Sequence, residues 1–162
     1  MGLTLRSLAL AVGLLASTAA AQEATIAFGA LEQDTTLPVE VSADQLAVNN
    51  ADGSAVFTGN VVVTQGEMKL SAAEIKVKYA ADGKSIDQLI ASGGVLIANL
   101  GDAAEASEAI YTIASGEIVL TGDVLLTQGP STMAGQKLTI NLKDGTGIME
   151  GRVTTTFVPG GN

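Results

Sequence analysis

The stretch Phe57-Thr58-Gly59-Asn60-Val61-Val62-Val63-Thr64-Gln65-Gly66 recurs as Leu120-Thr121-Gly122-Asp123-Val124-Leu125-Leu126-Thr127-Gln128-Gly129, at an offset of 63 residues. Six of the ten positions are identical and the other four exchange like for like, so the two copies are one structural unit used twice. The register continues through Ile75 with Leu138 and Val77 with Ile140. Apolar residues at alternate positions have the period of a half-buried strand. A glycine ahead of the inward valine marks a bend in that strand. Two weaker echoes, Gly93-Gly94-Val95 and Gly151-Arg152-Val153, place the four Gly-x-Val steps 34, 29 and 29 residues apart. Such spacing predicts stacked supersecondary units that bury one continuous apolar face.

Working outward, the same alternation holds at Val39/Val41, Leu46/Val48, Leu138/Ile140/Leu142 and Val153. Turn-forming clusters separate the runs: Asn49 to Gly53, Gln65-Gly66, Ala81-Asp82-Gly83, Gln128-Gly129-Pro130 and Lys143-Asp144-Gly145. The count comes to roughly 14 to 16 short strands, which suits a sandwich, a jelly roll or a β-solenoid. After residue 21 a helical period competes only in the alanine-rich segment Asp102 to Ala109. Residues 22–37 lack periodicity and read as a flexible lead-in closed by Pro38. The expected domain is 38–158, with a short tail over 159–162.

Met1 to Ala21 has one positive side chain, Arg6, then the apolar run Leu8 to Ala16, then small residues ending Ala19-Ala20-Ala21. This is the pattern of a cleavable secretory signal, with an apolar core about half the ~20 residues of a membrane anchor. The reading makes the chain an exported one. Cleavage leaves 7 basic residues against 17 acidic, a net charge of −10. No Lys/Arg run follows a phosphate backbone, so nucleic acid is not an expected partner.

The chain has no Cys, no His and no Trp; 47% of it is hydrophobic but only 3% aromatic. Thiol nucleophiles, His-based acid–base chemistry and ordinary zinc sites are thereby excluded. The carboxylate pairs Glu105/Glu108 and Glu40/Asp44 are formal glycosidase candidates, but acidic residues at outward strand positions read first as solvated surface. Asp82-Gly83 and Asp144-Gly145 resemble calcium-loop fragments without the spaced ligand series or closing Glu, so they read as hairpin turns. No catalytic residue, cofactor or metal is expected. A wall of Val, Ile and Leu suits long hydrocarbon chains better than ligands needing directed hydrogen bonds, at about 0.8 kcal/mol per buried methylene. The same residues also read as an ordinary dry core, and composition does not separate the two.

Pro38 to Asp44, the Phe57–Gly66 block and Leu70 to Val77 resemble the opening of the LptA (OstA-like) family of periplasmic lipopolysaccharide-export bridges. The likeness continues through Ala106-Ser107, Tyr111 and Val119 to Val124. The resemblance implies an all-β, open, twisted β-jelly roll of about 16 antiparallel strands that takes lipid A acyl chains inside and leaves the sugars in solvent. It implies head-to-tail self-association, with unpaired edges at both ends, and strand addition to an inner-membrane anchored bridge subunit and an outer-membrane translocon. Val39, Tyr111, Ile113 and Ile97 fall at or near the family's lipid-contacting positions. Phe57, Val61, Val63, Leu120, Val124 and Leu126 point inward by alternation, as lipid contacts or as plain core. Val39 and Val41 belong to one interface edge, and Val153, Thr155 and Phe157 to the other. Expected, then, is a non-enzymatic, lipopolysaccharide-binding bridge. The competing readings are an exported structural or adhesive β-solenoid with a dry core, and the inner-membrane subunit of the same system.

Overall fold

The computed structural model describes residues 24–27, as backbone, and 32–158. The expected signal segment, residues 1–21, and the tail 159–162 lie outside the described residues. Eleven strands follow one another: β1 (Ala24–Ala27), β2 (Glu40–Ser42), β3 (Gln45–Asn49), β4 (Ser54–Gln65), β5 (Met68–Tyr79), β6 (Ile86–Asn99), β7 (Asp102–Thr112), β8 (Glu117–Gln128), β9 (Ser131–Asn141), β10 (Thr146–Glu150) and β11 (Thr154–Thr156). Asp102 to Ala109, the place where a helix competes in the sequence, is a strand. Ala104 and Ala109 are buried and Ala106 packs against the core, and ladders with β6 and β8 on either side satisfy its backbone.

All pairings are antiparallel within one sheet, ordered β1-β10-β9-β8-β7-β6-β5-β4-β2, with β3 also on β4 and β11 also on β9. The six long strands β4 to β9 are bent near their midpoints. Between Thr58 and Val61, Ser71 and Glu74, Ser92 and Val95, Glu105 and Glu108, and Thr121 and Val124 the register shifts. Each bend divides a strand between two half-sheets. The first half-sheet holds β3, 54–58, 74–79, 86–92, 108–112, 117–121, 137–141, β10 and β1; the second holds β2, 61–65, 68–72, 95–99, 102–106, 124–128, 131–135 and β11. Counting six bent strands as twelve and adding β2, β3, β10 and β11 gives the sixteen expected, with β1 additional.

The four Gly-x steps build this corner. Gly59-Asn60, Gly93-Gly94, Gly122-Asp123 and Gly151-Arg152 all have positive φ at both residues, and two successive left-handed residues turn a strand sharply. Space demands glycine as well. A Cβ on Gly122 would stand 2.7 Å from the Ser107 hydroxyl and one on Gly93 2.7 Å from the Ala73 side chain. The valine after each of the first three steps, Val61, Val95 and Val124, is buried, and Val153 packs half-buried against the same core.

Two expectations change. The lead-in over 22–37 contains a strand: β1 pairs with β10 from Ala24↔Met149 to Ala27↔Thr146. The C-terminal edge of the first half-sheet is therefore covered by the chain's own N-terminal segment rather than left unpaired. The alternation rule missed β1 because a four-residue strand added to an edge needs backbone groups more than a side-chain pattern.

Candidate functional site

The inward residues of both half-sheets meet in one apolar interior. Tyr111, Val61, Val63, Leu120 and Leu126 are sealed from solvent, and Ile97 and Val124 nearly so. Phe57, Ile113, Val39 and Val41 pack against this core half-buried. Ile113 lies one residue past β7, its N–H donating to the Asp87 carbonyl at 3.1 Å, and Val39 lies one residue ahead of β2. Thr155, on β11, is half-buried and Phe157, just beyond it, is 72% exposed. A cleft of about 960 Å³ lies along the corner, lined by Thr58, Ser71, Leu96 and Glu105 with Val61 and Val95 behind them, while the inward side chains themselves are buried. The aliphatic interior is thus closed in this state.

At its N-terminal end, however, the interior surface runs on into solvent. Leu46 and Val48 of β3 pair with Phe57 and Ala55, and so continue the inward face, yet they are 52% and 63% exposed. Among the described residues the outermost strand thus offers both a free backbone edge and uncovered aliphatic surface.

Opposite the corner, the hairpin turns of the two half-sheets form a mouth. Gln65 is the residue that ties it shut. Position 65 follows 61 and 63 on the inward face of β4, so its amide is buried. The Tyr111 hydroxyl, on the other half-sheet, donates to Gln65 Oε1 at 2.7 Å across the interior. Burial pushes the phenol up to about 12 from 10.0, against a smaller lowering by the bond to Gln65. Gln65 Nε2 in turn donates to the carbonyls of Thr35 at 3.1 Å and Leu37 at 2.9 Å, while Gln33 Nε2 donates to the Gln65 carbonyl. The segment 33–37, part of the lead-in that reads as flexible, is therefore strapped along the mouth. Its other anchor is the Gln33 N–H, which donates to the Leu142 carbonyl of the β9–β10 turn at 2.8 Å.

In the sequence, Gln65 reads only as a turn residue. The missed signal is parity, because a polar side chain at an inward position needs a polar partner inside. Asn99, inward after 95 and 97, repeats the signal: it is 2% exposed and neither amide atom has a partner among the described residues. Among the acidic candidates, Glu105 and Glu108 are both exposed on outer faces of β7. Asp44 accepts from Asn60 Nδ2 at 2.8 Å and braces the first corner. Asp82 accepts from the backbone N–H groups of Lys84 and Ser85 at 2.8 and 2.9 Å, as a hairpin turn does. Asp144 likewise accepts from the Thr146 N–H at 3.1 Å.

A bent, corner-glycine sheet wrapped around an aliphatic interior defines a class of open β-jelly rolls built from a repeated strand unit. Residues 40–146 match the family described as LptA/(LptD N-terminal domain) LPS transport protein, and the chain belongs to that family. It is similar to the lipopolysaccharide export system protein LptA of Escherichia coli (strain K12), at 32% identity over 147 residues covering 84% of this chain and 79% of that one. An uncharacterized protein of Rhizobium meliloti is 29% identical over 161 residues, covering 93% of this chain and 87% of that one. In fold it is similar to the crystal structure of LptH, described as the LptA homologous periplasmic component of the lipopolysaccharide transport device of Pseudomonas aeruginosa. That match has a TM-score of 0.70 at 21% identity and covers 78% of this chain and 99% of that one.

Proposed function

We propose that this chain is a periplasmic, non-enzymatic carrier that shields lipopolysaccharide acyl chains between its two half-sheets and hands them along a row of like folds. The observation that carries the reading is the aliphatic interior that continues to an exposed end at Leu46 and Val48. An ordinary core ends inside its own sheet; this one ends where a second jelly roll would extend it. The backbone edges of β2 and β3, free among the described residues, lie beside that surface and suit strand addition by another copy, an inner-membrane anchored subunit or an outer-membrane translocon. The family and the relatives' names support the cargo. Binding is by burial of hydrocarbon, since an acidic chain has few cations for lipid phosphates.

Photo-crosslinking tests the reading. A photoreactive residue at Tyr111 or Ile113 is expected to capture lipopolysaccharide, and one at outward, exposed Glu74 is not. The sealed core keeps the dry structural β-solenoid as the second reading, and absence of capture at every inward position would establish it in place of the carrier.

A further inference from the structure

On the second half-sheet the inward positions next to the hairpin turns form one register row. Gln65 pairs with Met68, Asn99 with Asp102, Asp102 with Gln128 and Gln128 with Ser131. Met68 lies one step beyond the Lys69↔Ala98 pair, beside Asn99. Opposed residues of antiparallel strands share a face, so all six point with Val63, Ile97 and Leu126 toward the interior. Five of the six are polar. On the first half-sheet the inward residues beside the β7–β8 and β9–β10 turns, Ile113 and Leu142, are aliphatic and belong to the core. The mouth is thus polar along one rim and aliphatic at these turns of the other.

Satisfaction along the row is uneven. Gln65 is bonded to Tyr111 and to the strap, and the Gln128 amide donates to the Asp102 carboxylate at 3.0 Å. Asn99 sits between these groups, 2% exposed, with neither amide atom bonded among the described residues. A buried amide without partners costs the fold free energy. In exchange it presents N–H donors and a carbonyl acceptor at one point of an aliphatic interior. The row's one charged side chain is Asp102, an acid, so the rim opposes an anion and suits a neutral polar group.

We propose that Asn99 is a specificity site for the polar end of an acyl chain, reading a neutral group that offers both a donor and an acceptor. That chemistry belongs to a hydroxylated or an amide-linked acyl group and not to a plain ester. The inference rests on the carrier reading for an acyl cargo and names what the cargo carries where its hydrocarbon ends. Val95 and Ile97 line the interior along β6, and the next inward residue toward the mouth is Asn99. A chain lying along this strand therefore brings its carbonyl end to the amide. There the Asn99 N–H donates to the acyl carbonyl, and the Asn99 carbonyl accepts from the ligand's hydroxyl or N–H. A plain ester makes the first bond and leaves the second unmade.

Neutral probes of one chain length decide it: methyl tetradecanoate, methyl β-hydroxytetradecanoate and tetradecanamide, each titrated into the full chain in competition with phenylnaphthylamine, an apolar fluorophore. Relative to the plain ester, the hydroxy ester and the amide are expected to bind about tenfold better to wild type than to N99L. N99A, which adds no bulk, is expected to show the same loss, and both variants to keep the wild-type far-ultraviolet circular dichroism, since each removes an unpaired amide. A gain confined to the hydroxy ester or to the amide supports the proposal and identifies the group that is read. Relative affinities that are the same in wild type, N99L and N99A overturn it, because an amide with only a structural role does not distinguish the probes. In that case binding of all the probes leaves the carrier reading standing, whereas binding of none to any form overturns the carrier reading and this inference together.

Discussion

Replacing Tyr111 by Phe tests whether the cross-interior bond to Gln65 holds the two half-sheets together. The substitution removes one oxygen and leaves Gln65 Oε1 buried without its donor. An orphaned buried acceptor costs about 1–3 kcal/mol, and about 1.5 kcal/mol is a central value. With a urea slope of about 2 kcal/mol per molar, the unfolding midpoint followed by far-ultraviolet circular dichroism falls by about 0.7 M. A pH series supplies an independent check. The phenol's pKa is raised from 10.0 to about 12 in the fold, so the folded state binds the proton more tightly than the unfolded one. The associated stability is fully present below pH 10 and is lost as pH rises through about 12. At pH 11 the loss is roughly 1.4 kcal/mol, about the size of the hydrogen-bond term. The advantage of wild type over Y111F therefore shrinks above pH 10 and is gone by about pH 11. Other alkaline effects are common to both proteins and cancel. A Y111F protein equal to wild type at pH 8, or a margin that stays constant to pH 11, would refute the reasoning.

The corner and the interior give further tests by the same unfolding measurement. G122A is expected to cost about 1–3 kcal/mol, because φ is +83° and the new methyl meets the Ser107 hydroxyl; G83A, also at positive φ but with open space around it, is expected to cost less, about 1 kcal/mol. L126A removes a sealed side chain and is expected to cost about 2–5 kcal/mol, whereas L125A, on the outer face and 37% exposed, costs under about 1 kcal/mol. The Asp82 carboxyl is lowered to about 2 by the Ser85 hydroxyl and by the backbone N–H groups of Ser85 and Lys84. Its contribution is present above pH 3.8 and lost as pH falls through about 2, so D82N is expected to flatten the acid limb of the stability curve.

The repeated block carried most of the fold in advance, because strand alternation and bend glycines are local signals. Gly59, Gly93, Gly122 and Gly151 read as corners from spacing alone, and all four have positive φ. The number of strands reads correctly only when each bent strand counts twice, since alternation restarts after a bend even though the ladder continues through it. What stayed hidden involved partners far apart in sequence. Nothing near Gln65 announces Tyr111, 46 residues away, or the carbonyls of Thr35 and Leu37. Likewise β1 pairs with a strand more than a hundred positions downstream, and its short Ala-Thr-Ile-Ala run has too few residues to show a period.

A sealed interior and a hydrocarbon cargo are compatible if opening exchanges like for like. Inward Val, Ile and Leu that separate from one another meet acyl chains instead of water, so the burial term, about 0.8 kcal/mol per methylene, is conserved for the protein and gained for the lipid. What opening does lose is directional: the Tyr111–Gln65 bond, the two bonds from Gln65 to the strap and the bonds of Gln33. At about 1 kcal/mol net for each, these amount to a few kcal/mol, small beside the burial of even one acyl chain. On the proposed carrier reading, lipid then favours the open, loaded form, and the polar bonds at the mouth set when it opens rather than whether it does. On this account Gln65 belongs to the gate and Leu120, Val124 and Leu126 to the floor: loosening the gate should quicken loading and leave retention intact, while cutting back the floor should weaken retention.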